Sequence, residues 1–340
     1  STAFRAPTVF QLFSGTTQSF PNLRDPCSED NELFADPTVA ARCAEQGRPA
    51  GYTNPDTQQR AFWGGNEKLD PETAQILTAG MVVQPTFLEG FSATVDFYMI
   101  DIDNSIQRVG EDIIVNQCYT GPDESYQFFC DKIHRKSIFT IDYIDDKITN
   151  IGGLETWGID FAANYDIKSP FGRWLASFEG TYVGKFDQIN LPGVEEAIVD
   201  GAGFYDLEFA NPKFKFNLGL IWAWEELGAG LQMRYMGGFR ECEANNCKDR
   251  DDPGPDGEMG TADDTMRAAY GRDVDAVITL DLFMSYTLDT TFGSTKFTFG
   301  VTNLLDTDPA IIYNGFNNTT DPAEYDVLGR YFYGRISQSF

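Results

Sequence analysis

The sequence contains no run of about 18 apolar residues, so no helix built from it can cross a bilayer. Histidine occurs once, at His134 in a polar stretch, where it is expected to be a solvated loop residue; no Cys-x-x-Cys pair exists, which excludes the common zinc ligand sets. No serine, histidine and acid stand in an arrangement that offers a nucleophile with its base, and no enzyme chemistry is expected. Positive charge is scarce as well. Against 52 Asp and Glu there are 25 Lys and Arg, a formal net charge of -27, with an isoelectric point near 4.2. Such a chain repels nucleic acid and anionic surfaces and suits divalent cations or cationic ligands better. The opening Ser1-Thr2-Ala3-Phe4-Arg5-Ala6-Pro7 does not read as a secretory leader and is expected to be the interior of something longer.

What the chain does have is apolar and aromatic residues spaced at period two. Phe91, Ala93, Val95, Phe97 and Met99 alternate with Ser92, Thr94, Asp96 and Tyr98; Trp157, Ile159, Phe161, Ala163, Tyr165 and Ile167 alternate with Thr156, Gly158, Asp160, Ala162, Asn164 and Asp166. The same pattern recurs from Glu72 to Val83, around Trp174 to Tyr182, from Phe214 to Trp224, Leu227 to Tyr235, Ile278 to Tyr286 and Phe297 to Val301, and in the closing Tyr331 to Phe340. Period two is the mark of a strand with one greasy and one wet face, and the runs reach the roughly 9 to 11 residues that cross a bilayer at a tilt. No helix of consequence is expected to interrupt these strands.

The connections alternate in length. Gln84 to Gly90, Ile167 to Arg173, Trp224 to Leu227 and Asp289 to Thr295 are short; Thr8 to Pro71, Asp103 to Glu155, Phe186 to Pro212, Gly238 to Asp275 and Asp306 to Gly329 are long. One trim rim, one elaborate rim and an apolar face bearing Trp157, Trp174, Trp222 and Trp224 near strand ends describe an all-β, antiparallel transmembrane β-barrel with short periplasmic turns, long extracellular loops and aromatic girdles. A soluble sandwich would not sort its loops by length in this way.

The six cysteines fall as three close pairs inside long loops, so the expected disulfides are Cys27 with Cys43, Cys118 with Cys130 and Cys242 with Cys247, made in an oxidising compartment and clipping loops that have no core of their own. In the last of these loops Asp251, Asp252, Asp256, Glu258, Asp263 and Asp264 are interspersed with glycines. Hard oxygen ligands on a pliant loop fit calcium, although the spacing departs from the EF-hand pattern; an unbound acidic loop is the other reading.

At this point the chain resembles the carboxy-terminal half of TonB-dependent outer-membrane receptors. The residues that carry the resemblance are Phe4-Arg5-Ala6-Pro7-Thr8, then Asn66-Glu67-Lys68-Leu69-Asp70-Pro71-Glu72-Thr73, Thr156-Trp157-Gly158-Ile159-Asp160, Val301-Thr302-Asn303-Leu304-Leu305-Asp306 with Pro309, and the closing Gly329-Arg330-Tyr331 to Phe340. The resemblance implies a barrel of about 22 strands around a plug. Residues 1–340 would supply about the last ten strands, the plug and the earlier strands being absent from this sequence. It implies a multi-pass protein of the Gram-negative outer membrane, in contact with lipid and lipopolysaccharide. Its partner would be TonB, engaged through the missing amino-terminal region, and its cargo a scarce small nutrient such as an iron chelate, cobalamin or a carbohydrate. A passive porin or structural barrel is the alternative, and a secreted, calcium-stabilised adhesive β protein a third reading.

In a barrel the wet faces line the lumen, which makes Asp96, Asp160, Asn164, Arg173, Glu179, Lys185, Lys213, Lys215, Arg234, Asp281 and Arg335 lumen-lining candidates, either paired with one another and with the plug or free to touch cargo. Tyr52, Phe62 and Trp63 in the first long loop and Tyr313, Phe316 and Tyr325 in the last could stack on a planar chelate or sugar, or simply pack their loops.

Overall fold

The computed structural model describes all residues except 193–197, 206–209, 243–249, 253–264, 268–270 and 314–318. Ten strands follow one another in a single antiparallel path: β1 (Thr2–Arg5), β2 (Glu72–Val83), β3 (Phe91–Asp103), β4 (Gly153–Ser169), β5 (Gly172–Ile189), β6 (Phe214–Trp224), β7 (Leu227–Met236), β8 (Val277–Thr290), β9 (Gly293–Thr302) and β10 (Tyr331–Ser339). Sequence neighbours are sheet neighbours throughout, as expected where hairpin turns dictate pairing. Period-two alternation fixes the register, because a one-residue slip would turn each apolar side chain to the wet face. Thus Phe178 faces Leu218, Leu218 faces Met233 and Met233 faces Leu280. On the other face Glu179, Asn217, Arg234 and Thr279 form the matching row.

By compactness the chain forms two units. The first comprises Ser1–Ile76, Ile100–Glu155 and Gln188–Val199; the second comprises Leu77–Met99, Thr156–Asp187 and Asp200–Phe340. The second unit carries most of the sheet, and its strands expose large apolar side chains: Met284, Phe299, Phe332 and Ile336 are all more than half exposed. Trp174 and Trp222 lie 5.8 Å apart beside Trp224 at the short-turn end, while Trp157 packs near Tyr182 at the long-loop end. Close strand approach depends on glycine here. A Cβ on Gly184 would sit 2.1 Å from the Trp157 ring, and one on Gly90, which has a φ of +85°, would sit 2.2 Å from the Asp166 carbonyl oxygen.

The first unit corrects the expectation of coreless loops. Its long loops fold into helices α1 (Val9–Phe13), α2 (Pro37–Glu45), α3 (Glu111–Thr120) and α4 (Asp123–Cys130). With them comes a four-stranded sheet ordered Thr17–Ser19, Ala61–Trp63, Ile141–Asp145, Ile133–Arg135. Local signals start the helices: Thr8 and Gln11 form a capping box, and the Asp36 carboxylate accepts from the Thr38 amide at 2.6 Å with Pro37 in the first turn. Val39, Ile114, Val115, Tyr119, Phe129 and Ile144 are enclosed in one apolar cluster with Cys27, Cys43 and Cys118. The Cys27–Cys43 and Cys118–Cys130 disulfides close loops of 16 and 12 residues, each contributing about 3 kcal/mol through the unfolded state.

Candidate functional site

The wet face of the second unit holds two adjoining hollows. One, of about 360 Å³, is lined by Glu179, Thr181, Lys215, Asn217, Arg234, Met236, Val277 and Thr279 from β5 to β8 and by Glu324, Tyr325 and Asp326 from the last long loop. The other, of about 340 Å³, shares Glu179 and Asn217 and adds Ser177, Gln232, Asp281, Thr302 and Tyr333. Because facing residues recur every second position, four strands deliver their polar side chains to one patch. On the opposite face lies a shallow depression of about 430 Å³ walled by Phe178, Leu218, Leu220, Leu231 and Met233.

Both cations of the first hollow have an acidic partner. Lys215 Nζ lies 2.9 Å from both carboxylate oxygens of Glu324, and Arg234 Nη2 donates to Asp281 Oδ2 at 3.2 Å. Asp281 also accepts from the Asn303 amide at 2.8 Å, fixing the start of the last loop. That loop is tied down a second time through Asp321, which is buried and accepts from the Ala210 amide at 2.8 Å and from its own Ala323 amide at 2.9 Å. The docking is incomplete in one respect. Tyr325 is buried, its hydroxyl has no hydrogen-bond partner, and burial, reinforced by Glu324 and Asp321, pushes its phenol up to about 12. Thr320 Oγ1, a few residues away, is buried and unpartnered as well. Each such group costs about 1–3 kcal/mol.

Of the lumen-lining candidates, Glu179, Lys215, Arg234 and Asp281 come together at these hollows. Asp160 stands on the same face, accepting from the Thr181 hydroxyl at 2.6 Å. Asp96 lies against Gly80 on β2. Arg173 sits at the short-turn rim in an ion pair with Asp166, its Nε donating at 2.8 Å, and exposed Lys213 lays its aliphatic stem along Gly203 at the foot of a long loop. Glu324 and Asp326 escape sequence reasoning because they lie in a loop about a hundred residues beyond the strand they cover. A lone acid there carries no periodic signal.

The loop aromatics divide. Tyr52 is a core residue, edge-on to Phe139 at 5.0 Å with its hydroxyl donating to Asp25 at 2.9 Å. Trp63 is covered by the Arg108 guanidinium at 3.6 Å and donates to Glu111 at 2.5 Å, and Phe62 packs on Tyr143. His134 is stacked on Tyr143 at 4.2 Å in the strand Ile133–Arg135 and is half-buried there, where a solvated loop position was expected. Tyr313 is exposed beside Arg272, Tyr325 lines the hollow and Phe316 lies outside the described residues. The Cys242–Cys247 pairing also falls outside them, since Cys247 does, as do Asp256, Glu258, Asp263 and Asp264; Asp251 and Asp252 belong to the short strand Arg250–Asp252. Among the described residues no group of three acids, cysteines or histidines is placed to hold a metal.

No curated protein matches the chain. Among solved structures, the siderophore receptor PirA from Acinetobacter baumannii shares 15% identity at a TM-score of 0.55, covering all of this chain and 38% of its own. The ferric enterobactin receptor PfeA from Pseudomonas aeruginosa shares 17% identity in one structure, TM-score 0.56. A PfeA variant in complex with enterobactin shares 16% identity, TM-score 0.57. Both cover all of this chain and 37% of their own. The present chain therefore spans well under half the length of these receptors, and what it shares with them is the fold. The family described as TonB dependent receptor-like, beta-barrel, matches residues 1–304, most of the chain. This ordered succession of two-faced strands, trim turns on one rim and folded loops on the other belongs to the TonB-dependent receptor β-barrel family.

Proposed function

We propose that this chain is the carboxy-terminal part of the barrel wall of an outer-membrane receptor that takes up a scarce iron chelate, with energy supplied through TonB. The observation that carries the reading is the wet wall of β5 to β8, where Glu179, Lys215, Arg234 and Asp281 meet beneath a long loop. Support for the cargo class comes from PirA and PfeA, whose names describe siderophore and ferric enterobactin receptors. Asp96, Asp160, Arg173, Glu179, Lys213, Lys215, Arg234 and Asp281 are then lumen residues, and the apolar face meets lipid, with lipopolysaccharide at the long-loop rim. No enzymatic step is part of this reading. Uptake of iron-55 as a siderophore complex, by cells expressing the full receptor with and without TonB, tests it. Accumulation that requires TonB is expected. Equal accumulation without TonB would be the behaviour of a passive porin and would overturn the proposal.

We propose calcium, on sequence grounds alone, for the stretch holding Asp251, Asp252, Asp256, Glu258, Asp263 and Asp264, an unbound acidic loop being the other reading. Titrating the intact receptor with calcium in a calorimeter should give heat that is reduced in Asp256→Asn. Absence of heat would remove the assignment.

A further inference from the structure

We propose that the segment Thr320–Asp326 is a latched lid over the hollow at Lys215, and that a small ligand joining an oxyanion to an apolar body opens it by taking Lys215 from Glu324. The latch is a single ion pair. Both Glu324 oxygens lie 2.9 Å from Lys215 Nζ, and neither side chain is fully enclosed, so water and small ions reach the pair. Beside Lys215 the register places Thr181 on β5 and Met236 on β7, and Val277 faces Met236 from β8. Ammonium, hydroxyl and thioether thus meet within one hollow of about 360 Å³. An oxyanion fits the ammonium and hydroxyl, and an apolar ring or chain fits Met236 and Val277. The other strand cation in the hollow, Arg234, bonds Asp281 of the neighbouring strand β8, so among the two cations it is Lys215 whose partner lies on the segment itself.

The lid itself is poised. Asp321 anchors it to Ala210, and Tyr325 packs into the apolar cluster with Phe239, Val274 and Ile312. Against those anchors, among the described residues of the second unit, the buried side-chain polar atoms without a partner are Thr320 Oγ1 and Tyr325 Oη, both in this segment. Lifting the segment returns both hydroxyls to water, which offsets part of what holds it down: the latch, the Asp321–Ala210 hydrogen bond and the packing of one ring. A neutral ligand of the same shape offers Lys215 only an uncharged carbonyl oxygen, too weak an acceptor to displace the Glu324 carboxylate, and leaves the latch in place.

The inference rests on reading this wall as the lining of a transport path, but its test reads loop opening and not uptake, so either can fail alone. Hydrogen–deuterium exchange of the peptide spanning 319–328 is followed in the full receptor in detergent, with benzoate and with its neutral isostere benzamide. Benzoate should raise exchange by about tenfold and benzamide should leave it unchanged. Glu324→Gln should raise it without ligand, and Lys215→Met should both raise it and abolish the benzoate response. Loss of the benzoate effect in the parent protein, or an equal effect of benzamide, overturns the proposal. So does a closed lid in Glu324→Gln, a variant that keeps the shape of the side chain and so separates the latch from a failure to fold.

Discussion

The two units of this molecule bury their side chains in opposite ways. In the first, Val39, Ile114, Val115 and Ile144 are fully enclosed, a bidentate Arg135–Asp25 pair sits inside, and two disulfides staple the loops. In the second, strands of matching alternation turn Met284, Phe299, Phe332 and Ile336 outward and rely on backbone ladders. The first unit is organised like a small disulfide-rich globular protein, whose core water drives inward. The sheet of the second needs no inner core, because an apolar solvent takes the place of one, and the enclosed cluster of Tyr205, Ala210, Phe239, Val274, Ile312 and Tyr325 belongs to the long loops of that unit. Loops and strands of the same chain are therefore folded against different solvents.

That contrast can be broken most forcefully at the staples. Replacing Cys27, Cys43, Cys118 and Cys130 together by alanine should cost the loop unit roughly 6 kcal/mol. Proteolysis should then remove segments within 6–71 and 104–152, while the sheet keeps its heat-modifiable migration on gels. Next comes Arg135→Ala. Arg135 donates to both oxygens of Asp25, at 2.6 and 2.8 Å, and to the Tyr119 hydroxyl at 2.7 Å. Asp25 has no exposed side-chain surface, and stranding its charge should cost about 3–5 kcal/mol, again seen as loop cleavage with an intact sheet.

A pH effect should distinguish the units as well. Asp146 is fully buried and accepts from the Val109 and Gly110 amides at 3.1 and 3.3 Å. Burial, with the nearby Glu111 carboxylate, raises its pKa to about 7, Arg108 opposing only in part. The folded state therefore holds a proton that the unfolded chain gives up near pH 4, so this contribution is fully present below pH 4 and is lost as pH rises through 7. The loss is on the order of 4 kcal/mol. Thermal unfolding of the loop unit should fall between pH 5 and pH 8 in the parent protein and change little in Asp146→Asn. A smaller effect compares two exposed apolar residues. Phe299→Arg on the sheet should cost about 2–4 kcal/mol in a bilayer, whereas Ile138→Arg in the loop unit, at a more exposed residue, should shift stability by less than about 0.5 kcal/mol. Equal costs would erase the distinction between the two solvents.

The strands were legible because alternation is a local signal. Each of the nine long runs can be read from side-chain identity alone, and the short turns set the pairing. The loop core was not. Its helices are short, Asp25 and Arg135 lie 110 positions apart, and the cysteines announce closure without announcing what packs around it. The wall residues Glu179, Lys215, Arg234 and Asp281 could be picked by face. Their meeting with Glu324 could not, because a lone acid 109 positions from Lys215 has no periodicity to place it. Tyr52 and Trp63 were ambiguous for a related reason, since an aromatic in a polar loop looks the same whether it waits for a ligand or holds a core together.

The most direct test of the two-solvent account is a spin-label scan along β6 in a lipid bilayer, one site at a time from Phe214 to Trp224. Oxygen accessibility should peak at Phe216, Leu218, Leu220 and Trp222, and accessibility to a water-soluble nickel chelate at Lys215, Asn217, Gly219 and Ile221, with a period of two. A profile without alternation, or with the chelate reaching Leu218 and Leu220 as readily as Asn217, would contradict it.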